Sequence, residues 1–220
     1  MTRPQSEQQL ENALLKQLET LGHSPVSIPD ENTLLSNLKA QLEKHNKITF
    51  SDNEFKKVVN ILNAGSVFER AKTLRGIKHH IIKDDGETLY FEFLNQTEWC
   101  KNEFQVTNQV TILKKRGCEM AEAHRQIQRY KSHSFGSGSA LFQYVQLFII
   151  SNGVNTKYFA NNRTQALNYK QTFYWADEKN DKITNLSDFA ETFLEPCHLS
   201  KMICKYIVLA ETDKILMVLR

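Results

Sequence analysis

The apolar residues of this 220-residue chain change their period partway along, which limits it to folds that combine helices with a sheet. Up to about residue 75 they recur every three or four positions. Ser6 with Gln9 makes a capping box ahead of Leu10, Leu14, Leu18 and Leu21, and Gly22 stops the run. Asp30, after Pro29, opens a second helix with Leu34, Leu35, Leu38 and Leu42 on one face. Ser51 with Glu54 caps a third through Phe55, Val58, Val59 and Leu62, and Ser66 begins a short fourth. From Ile77 the pattern is that of strands. IKHHIIK and ETLYFEFL flank Asp84-Asp85-Gly86, a hairpin whose glycine is free to take positive φ.

Beyond the hairpin, Phe104, Val106, Val110 and Ile112 predict a strand with one buried face. Cys118 to Lys131 reads as a helix, SFGSGS at 134–139 as a flexible loop, and VQLFIIS at 145–151 as a central strand by its continuous apolar run. Asn152-Gly153 then turns the chain into VNTKYFA, whose lysine and tyrosine predict a place nearer the sheet edge. TFYWA at 172–176 is a further strand, Ser187 to Leu194 and His198 to Leu209 are helices, and KILMVL at 214–219 is a last strand. The expected organisation is one domain over residues 1–220, helical over 1–75 and sheet-containing over 76–220.

Composition excludes several classes. Hydrophobic content of 40% and charged content of 24% are those of an ordinary globular protein. No apolar run approaches the roughly 18 residues of a membrane span. MTRPQSEQQ has no apolar core of a secretory signal. Cys100, Cys118, Cys197 and Cys204 form no C-x-x-C pair, and the expectation is reduced thiols. Gly136-Ser137-Gly138-Ser139 lacks a following Gly-Lys-Ser/Thr and is no phosphate-binding P-loop. His79-His80 lacks further ligands at metal spacing and reads as one inward and one outward strand position. Cys197-His198 reads as structural, and Glu7 and Glu11 suit a solvated first turn as well as any site.

The net charge of +3 is small, so its distribution matters more than its size. Between Leu113 and His133 lie Lys114, Lys115, Arg116, Arg125, Arg129 and Lys131 against Glu119 and Glu122. A basic strand end followed by a basic helix suits contact with phosphates; a solvated helix face is the competing reading. Gln126 and Tyr130 stand one helical turn apart and can converge on one place. Tyr130 also continues an apolar series with Met120, Ala123 and Ile127, so packing competes with function there.

Within the stretch Phe104 to Asn162, Leu113-Lys114-Lys115-Arg116-Gly117 and Gln126-Ile127-Gln128-Arg129-Tyr130 resemble the E-L-K-K/R-x-G strand end and Q-x-x-x-Y helix of one family. That family is the N-terminal nuclease region of the restriction (R) subunit of type I restriction-modification enzymes. The resemblance extends over nearly all of the chain, and is strong again at FLEPCHLSKMICKYIVL. It implies a restriction-endonuclease-like, PD-(D/E)xK, α/β fold: a mixed central sheet flanked by helices, with N-terminal helices. It implies a Mg²⁺-dependent endonuclease acting on duplex DNA, cytoplasmic, assembled with methylation and specificity subunits, and followed in the whole subunit by ATP-driven motor domains. The 220 residues would then be a fragment of that subunit.

Phosphodiester hydrolysis needs an activated water, a neutralised phosphate and a stabilised leaving oxygen, which Mg²⁺ between two carboxylates largely supplies. Under the resemblance Lys114 takes the catalytic-lysine position, Gln126 and Tyr130 orient the lysine or DNA, and Lys115, Arg116, Arg125 and Arg129 contact DNA. The metal ligands are unassigned. The family's acid two places before the lysine is here Ile112, and an aspartate-bearing hairpin of the form Y-D-V-T-x-x-x-N-G-L-P-x-V is missing. Either a hairpin of the natural protein is absent from this sequence between Ile112 and Leu113, or the deletion is natural. In the second case the domain would be a catalytically silent DNA-holding or docking module. A small-molecule enzyme finds no cofactor loop or nucleophile motif in support.

Overall fold

The computed structural model describes residues 7–107, 125, 127, 144–161 and 169–218. Four N-terminal helices form where the periodicity places them: α1 (Glu7–Thr20), α2 (Glu31–Asn46), α3 (Asp52–Asn63) and α4 (Val67–Leu74); Ser6, expected to cap the first, lies outside the described residues. Gly22 ends α1 with φ 101°, and the His23 N–H donates back to the Leu18 carbonyl at 3.0 Å. The Asp30 carboxylate accepts from Thr33 N–H at 2.7 Å. At α3 both halves of the capping box are made, Glu54 N–H to Ser51 Oγ at 3.1 Å and Ser51 N–H to Glu54 Oε2 at 2.8 Å. Glu54 is buried, and its other oxygen accepts from Asp84 N–H at 3.1 Å, which ties the helix start to the next turn.

That turn joins β2 (His79–Ile82) to β3 (Thr88–Phe91), antiparallel, with Gly86 at φ 91°. His79 lies inward, its ring 4.9 Å from that of Phe93, and His80 is exposed, as strand alternation requires. Leu42, Phe50, Phe55, Val58, Leu62, Ile81, Phe91 and Phe93 form the core between α2, α3 and this hairpin. A short parallel pairing joins β1 (Ser24–Pro25) to β4 (Gln105–Val106), the described start of the strand expected from Phe104; β1 has no precursor in the periodicity.

The C-terminal part contains β5 (Leu147–Ser151) and β6 (Thr156–Ala160), an antiparallel pair, then β7 (Trp175–Ala176) with β8 (Lys182–Ile183). Two helices follow, α5 (Leu186–Phe193) and α6 (Pro196–Lys201), and a closing hairpin of β9 (Ile207–Ala210) and β10 (Ile215–Val218). The fold is thus mixed α/β, with six α-helices and both parallel and antiparallel pairings among the described residues. α1 docks on α5 through Gln17 and Ser187, the Gln17 amide donating to the Ser187 carbonyl at 2.8 Å.

Three expectations are corrected. The helix expected from His198 to Leu209 passes through a π turn at Met202–Tyr206 and then stops, because Ile207 to Ala210 pair with β10. The expected edge strand is flanked on both sides: β6 pairs with β5, and Tyr158 exchanges backbone hydrogen bonds of 3.0 and 2.9 Å with Phe173. Cys100 and Cys197, expected as thiols, form a disulfide with Cα atoms 4.3 Å apart. A separation of 97 residues hid that pairing, since proximity across the fold is not encoded in local spacing.

Candidate nucleic-acid interface

The register of β5 with β6 assigns every side chain to one of two faces. Leu147, Ile149, Tyr158 and Ala160 share one face; Phe148, Ile150, Lys157 and Phe159 share the other, by the pairs Phe148↔Phe159 and Ile150↔Lys157. The first face is closed by α5 and the π turn, where Tyr158, Phe189, Phe193 and Met202 make a fully buried cluster. On the second face Ile150 and Phe159 are packed by Phe148, Tyr169 and Ile127.

Ile127 belongs to the segment expected to carry the nuclease helix, and both it and Arg125 have helical backbone. Two residues apart on a helix, they point to nearly opposite sides. Ile127 is half-buried against Ile150 and Phe159 on this second face, and Arg125 is exposed. Lys114, Lys115, Arg116, Gln126, Arg129 and Tyr130 lie outside the described residues, as does the junction of Ile112 with Leu113.

Two arginines, Arg70 within α4 and Arg75 at its end, fix the chain where it enters β5. Arg70 donates to the Asn63 carbonyl at 2.8 Å and the Gly65 carbonyl at 3.2 Å, serving the open C-terminal end of α3, and its guanidinium lies 4.8 Å from the centre of the Tyr144 ring. Burial pushes the Tyr144 hydroxyl pKa up. Arg75 donates to the Ile207 carbonyl at 2.5 Å and to Gln146 Oε1 at 2.6 Å. Burial lowers its pKa to about 10, and it bonds neutral acceptors there. The start of β5 is therefore held rigidly against α4 and β9.

The residues that sequence reasoning missed on the second face are Lys157, Tyr169, Tyr174 and Lys182. The Lys157 ammonium lies 4.6 Å from the centre of the Tyr169 ring, 4.8 Å from that of Tyr174, and 3.3 Å from Thr172 Oγ1. Lys182 approaches the same Tyr174 ring at 5.6 Å. The available signal is a lysine inside the apolar run TKYFA, which by itself reads as the mark of an edge. No group of three or more His, Cys, Asp or Glu that could hold a metal ion occurs among the described residues. Nor, among them, is any helix long and apolar enough to cross a membrane.

The chain belongs to the family described as type I restriction enzyme R protein N terminus (HSDR_N), whose model matches residues 4–116 and 113–167. It is 40% identical to a type I restriction enzyme endonuclease subunit of Staphylococcus aureus (strain COL), the match covering 98% of this chain and 26% of that protein. A type I endonuclease subunit of Staphylococcus saprophyticus is 39% identical over the same shares. The EcoprrI endonuclease subunit of Escherichia coli is 31% identical, over 98% of this chain and 78% of that protein. The chain thus spans about a quarter of the length of its staphylococcal relatives.

These matches also bear on the length of the missing stretch. An alignment of 246 positions that uses 98% of a 220-residue chain leaves about 30 positions at which the Staphylococcus aureus protein has residues and this chain has none. The two pieces of the family match meet at residues 113–116, Leu113 to Arg116, directly after Ile112. About 30 residues exceed a bare hairpin of two strands and a turn.

Proposed function

We propose that this chain is the N-terminal nuclease region of a type I restriction enzyme R subunit, a single domain of the restriction-endonuclease-like class that acts on duplex DNA. The observation that carries this reading is the family match whose two pieces meet at Leu113 to Arg116, where the LKKRG strand end stands. Lys114 is assigned to the scissile phosphate, where an ammonium stabilises charge that develops in the transition state. Gln126 and Tyr130 orient it, and Lys115, Arg116, Arg125 and Arg129 bind flanking phosphates. Methylation and specificity subunits are the proposed partners, and the bacterial cytoplasm the proposed location. ATP belongs to motor domains elsewhere in such a subunit.

The Mg²⁺ that the family resemblance implies does not fit the residues present. Ile112 replaces the acid next to the lysine, and the aspartate hairpin is missing, so no hydrolytic step is assigned through a metal here. Metal-dependent cleavage is proposed for a subunit that contains the hairpin. In that natural full-length subunit, assembled with its partners and ATP, Lys114→Ala is expected to lower cleavage by at least about a hundredfold, with ATP hydrolysis and translocation unchanged. Cleavage that survives the substitution would overturn the assignment of Lys114.

A second reading, a catalytically silent DNA-holding module, is favoured by the roughly 30 absent positions. Intact-mass measurement of the natural protein separates the two. A mass about 30 residues above that of this sequence supports the nuclease, and a chain with no such excess supports the silent module.

A further inference from the structure

We propose that Lys157 and Lys182, set against the rings of Tyr169 and Tyr174, form a second phosphate-gripping rim that holds duplex DNA beside β6 and β8. The proposal rests on the DNA reading above and adds to it a site outside the basic stretch 114–131.

Lys157 occupies an unusual place. It lies within a strand paired on both sides, and its neighbours Thr156, Tyr158 and Phe159 are all buried. Lysines are uncommon at such positions, because the ammonium must be carried out to a place where it is solvated or paired. The Lys157 ammonium is carried to two tyrosine rings and the Thr172 hydroxyl, and it meets no carboxylate within 4.0 Å among the described residues. Ring faces attract a cation without cancelling its charge, so the positive potential remains available to an anion. Lys182, exposed on β8, brings a second cation to the Tyr174 ring.

Two neighbouring ammonium groups on flat rings suit a sugar–phosphate backbone, which presents closely spaced anions and apolar sugar faces. Lys157 shares its sheet face with Phe159 and Ile150, against which Ile127 packs.

The test is duplex binding by the 220-residue chain, followed by fluorescence anisotropy with a labelled duplex of about 30 base pairs across a range of salt. Replacing Lys157 and Lys182 by glutamine is expected to reduce the slope of log affinity against log salt by roughly 0.9 for every phosphate that is no longer neutralised. Lys72→Gln, which breaks a surface ion pair with Glu211 on another part of the molecule, is expected to leave the slope unchanged. A double variant with the parent's slope overturns the rim while leaving the DNA reading intact. A parent chain with no salt-dependent binding overturns both. Binding of poly-glutamate as tight as that of the duplex would replace a phosphodiester ligand with an acidic peptide. If Lys157→Gln fails to fold cooperatively, Lys182→Gln on exposed β8 decides the matter by the same slope.

Discussion

The ten residues of the β5–β6 pair divide between two faces of opposite character. On one, the rings of Tyr158, Phe189 and Phe193 lie with centres within 6.3 Å of one another and are at most 1% exposed. On the other, two buried residues, Ile150 and Phe159, are ringed by half-exposed aromatic groups and a lysine ammonium. The first face is sealed by aromatic rings, whereas the second carries a lysine ammonium among tyrosine rings at its rim. The alternation of a single strand supplies both, because neighbouring residues of β6 face opposite ways.

The sharpest way to break this contrast is to empty the sealed face. Phe193→Ala is expected to cost about 3–5 kcal/mol of unfolding free energy, read from urea denaturation, as for other fully buried rings. A loss below about 1 kcal/mol would mean that the face is not packed as described.

Next in size is the disulfide that fastens the loop before β4 to α6 on the sealed side. Reduction of Cys100–Cys197 is expected to lower stability by about 2–4 kcal/mol, because it releases a long loop in the unfolded chain. Identical urea curves with and without reductant would show that the two thiols are not joined.

On the second face the effect should be smaller. Ile127 is half-buried, so Ile127→Ala is expected to cost about 1–2 kcal/mol, less than the loss from a fully buried site. A cost equal to that of Phe193→Ala would make the two faces equivalent and remove the contrast.

The smallest expected effect concerns pH. Burial against Trp175 and Phe193 holds the His198 pKa below its ordinary value of 6.5. The unfolded chain therefore takes up the proton first as the pH falls. The contribution to stability is complete above pH 6.5 and is lost as pH falls toward the lower folded value. His198→Gln should flatten the change in urea midpoint between about pH 7.5 and 5.5; an unaltered change would remove His198 as its source.

Local chemistry made much of the N-terminal part legible. The caps at Asp30 and Ser51, the stop at Gly22 and the Asp84-Asp85-Gly86 turn are interactions between residues a few positions apart, and the structure contains each of them. The candidate site was legible in a different way. Its residue types were readable as a motif, but of the seven assigned residues the structure describes Arg125 alone, which is exposed.

The misses have one physical cause. Ile207 to Leu209 follow a helix without a break in apolar character, and their strand state is fixed by pairing with β10. Lys157 reads as an edge residue until Phe173 pairs with the far side of Tyr158. Cys100 and Cys197 have no local relation at all.

Periodicity, caps and turn residues fix the helices, the hairpins and the mixed α/β class, because each depends on contacts within about a turn or a hairpin. The alignment of strands, the bond between distant cysteines and the meeting of Lys157 with Tyr169 and Tyr174 depend on which surfaces are buried together. Burial is a property of the assembled molecule, so these features arise only when the elements pack.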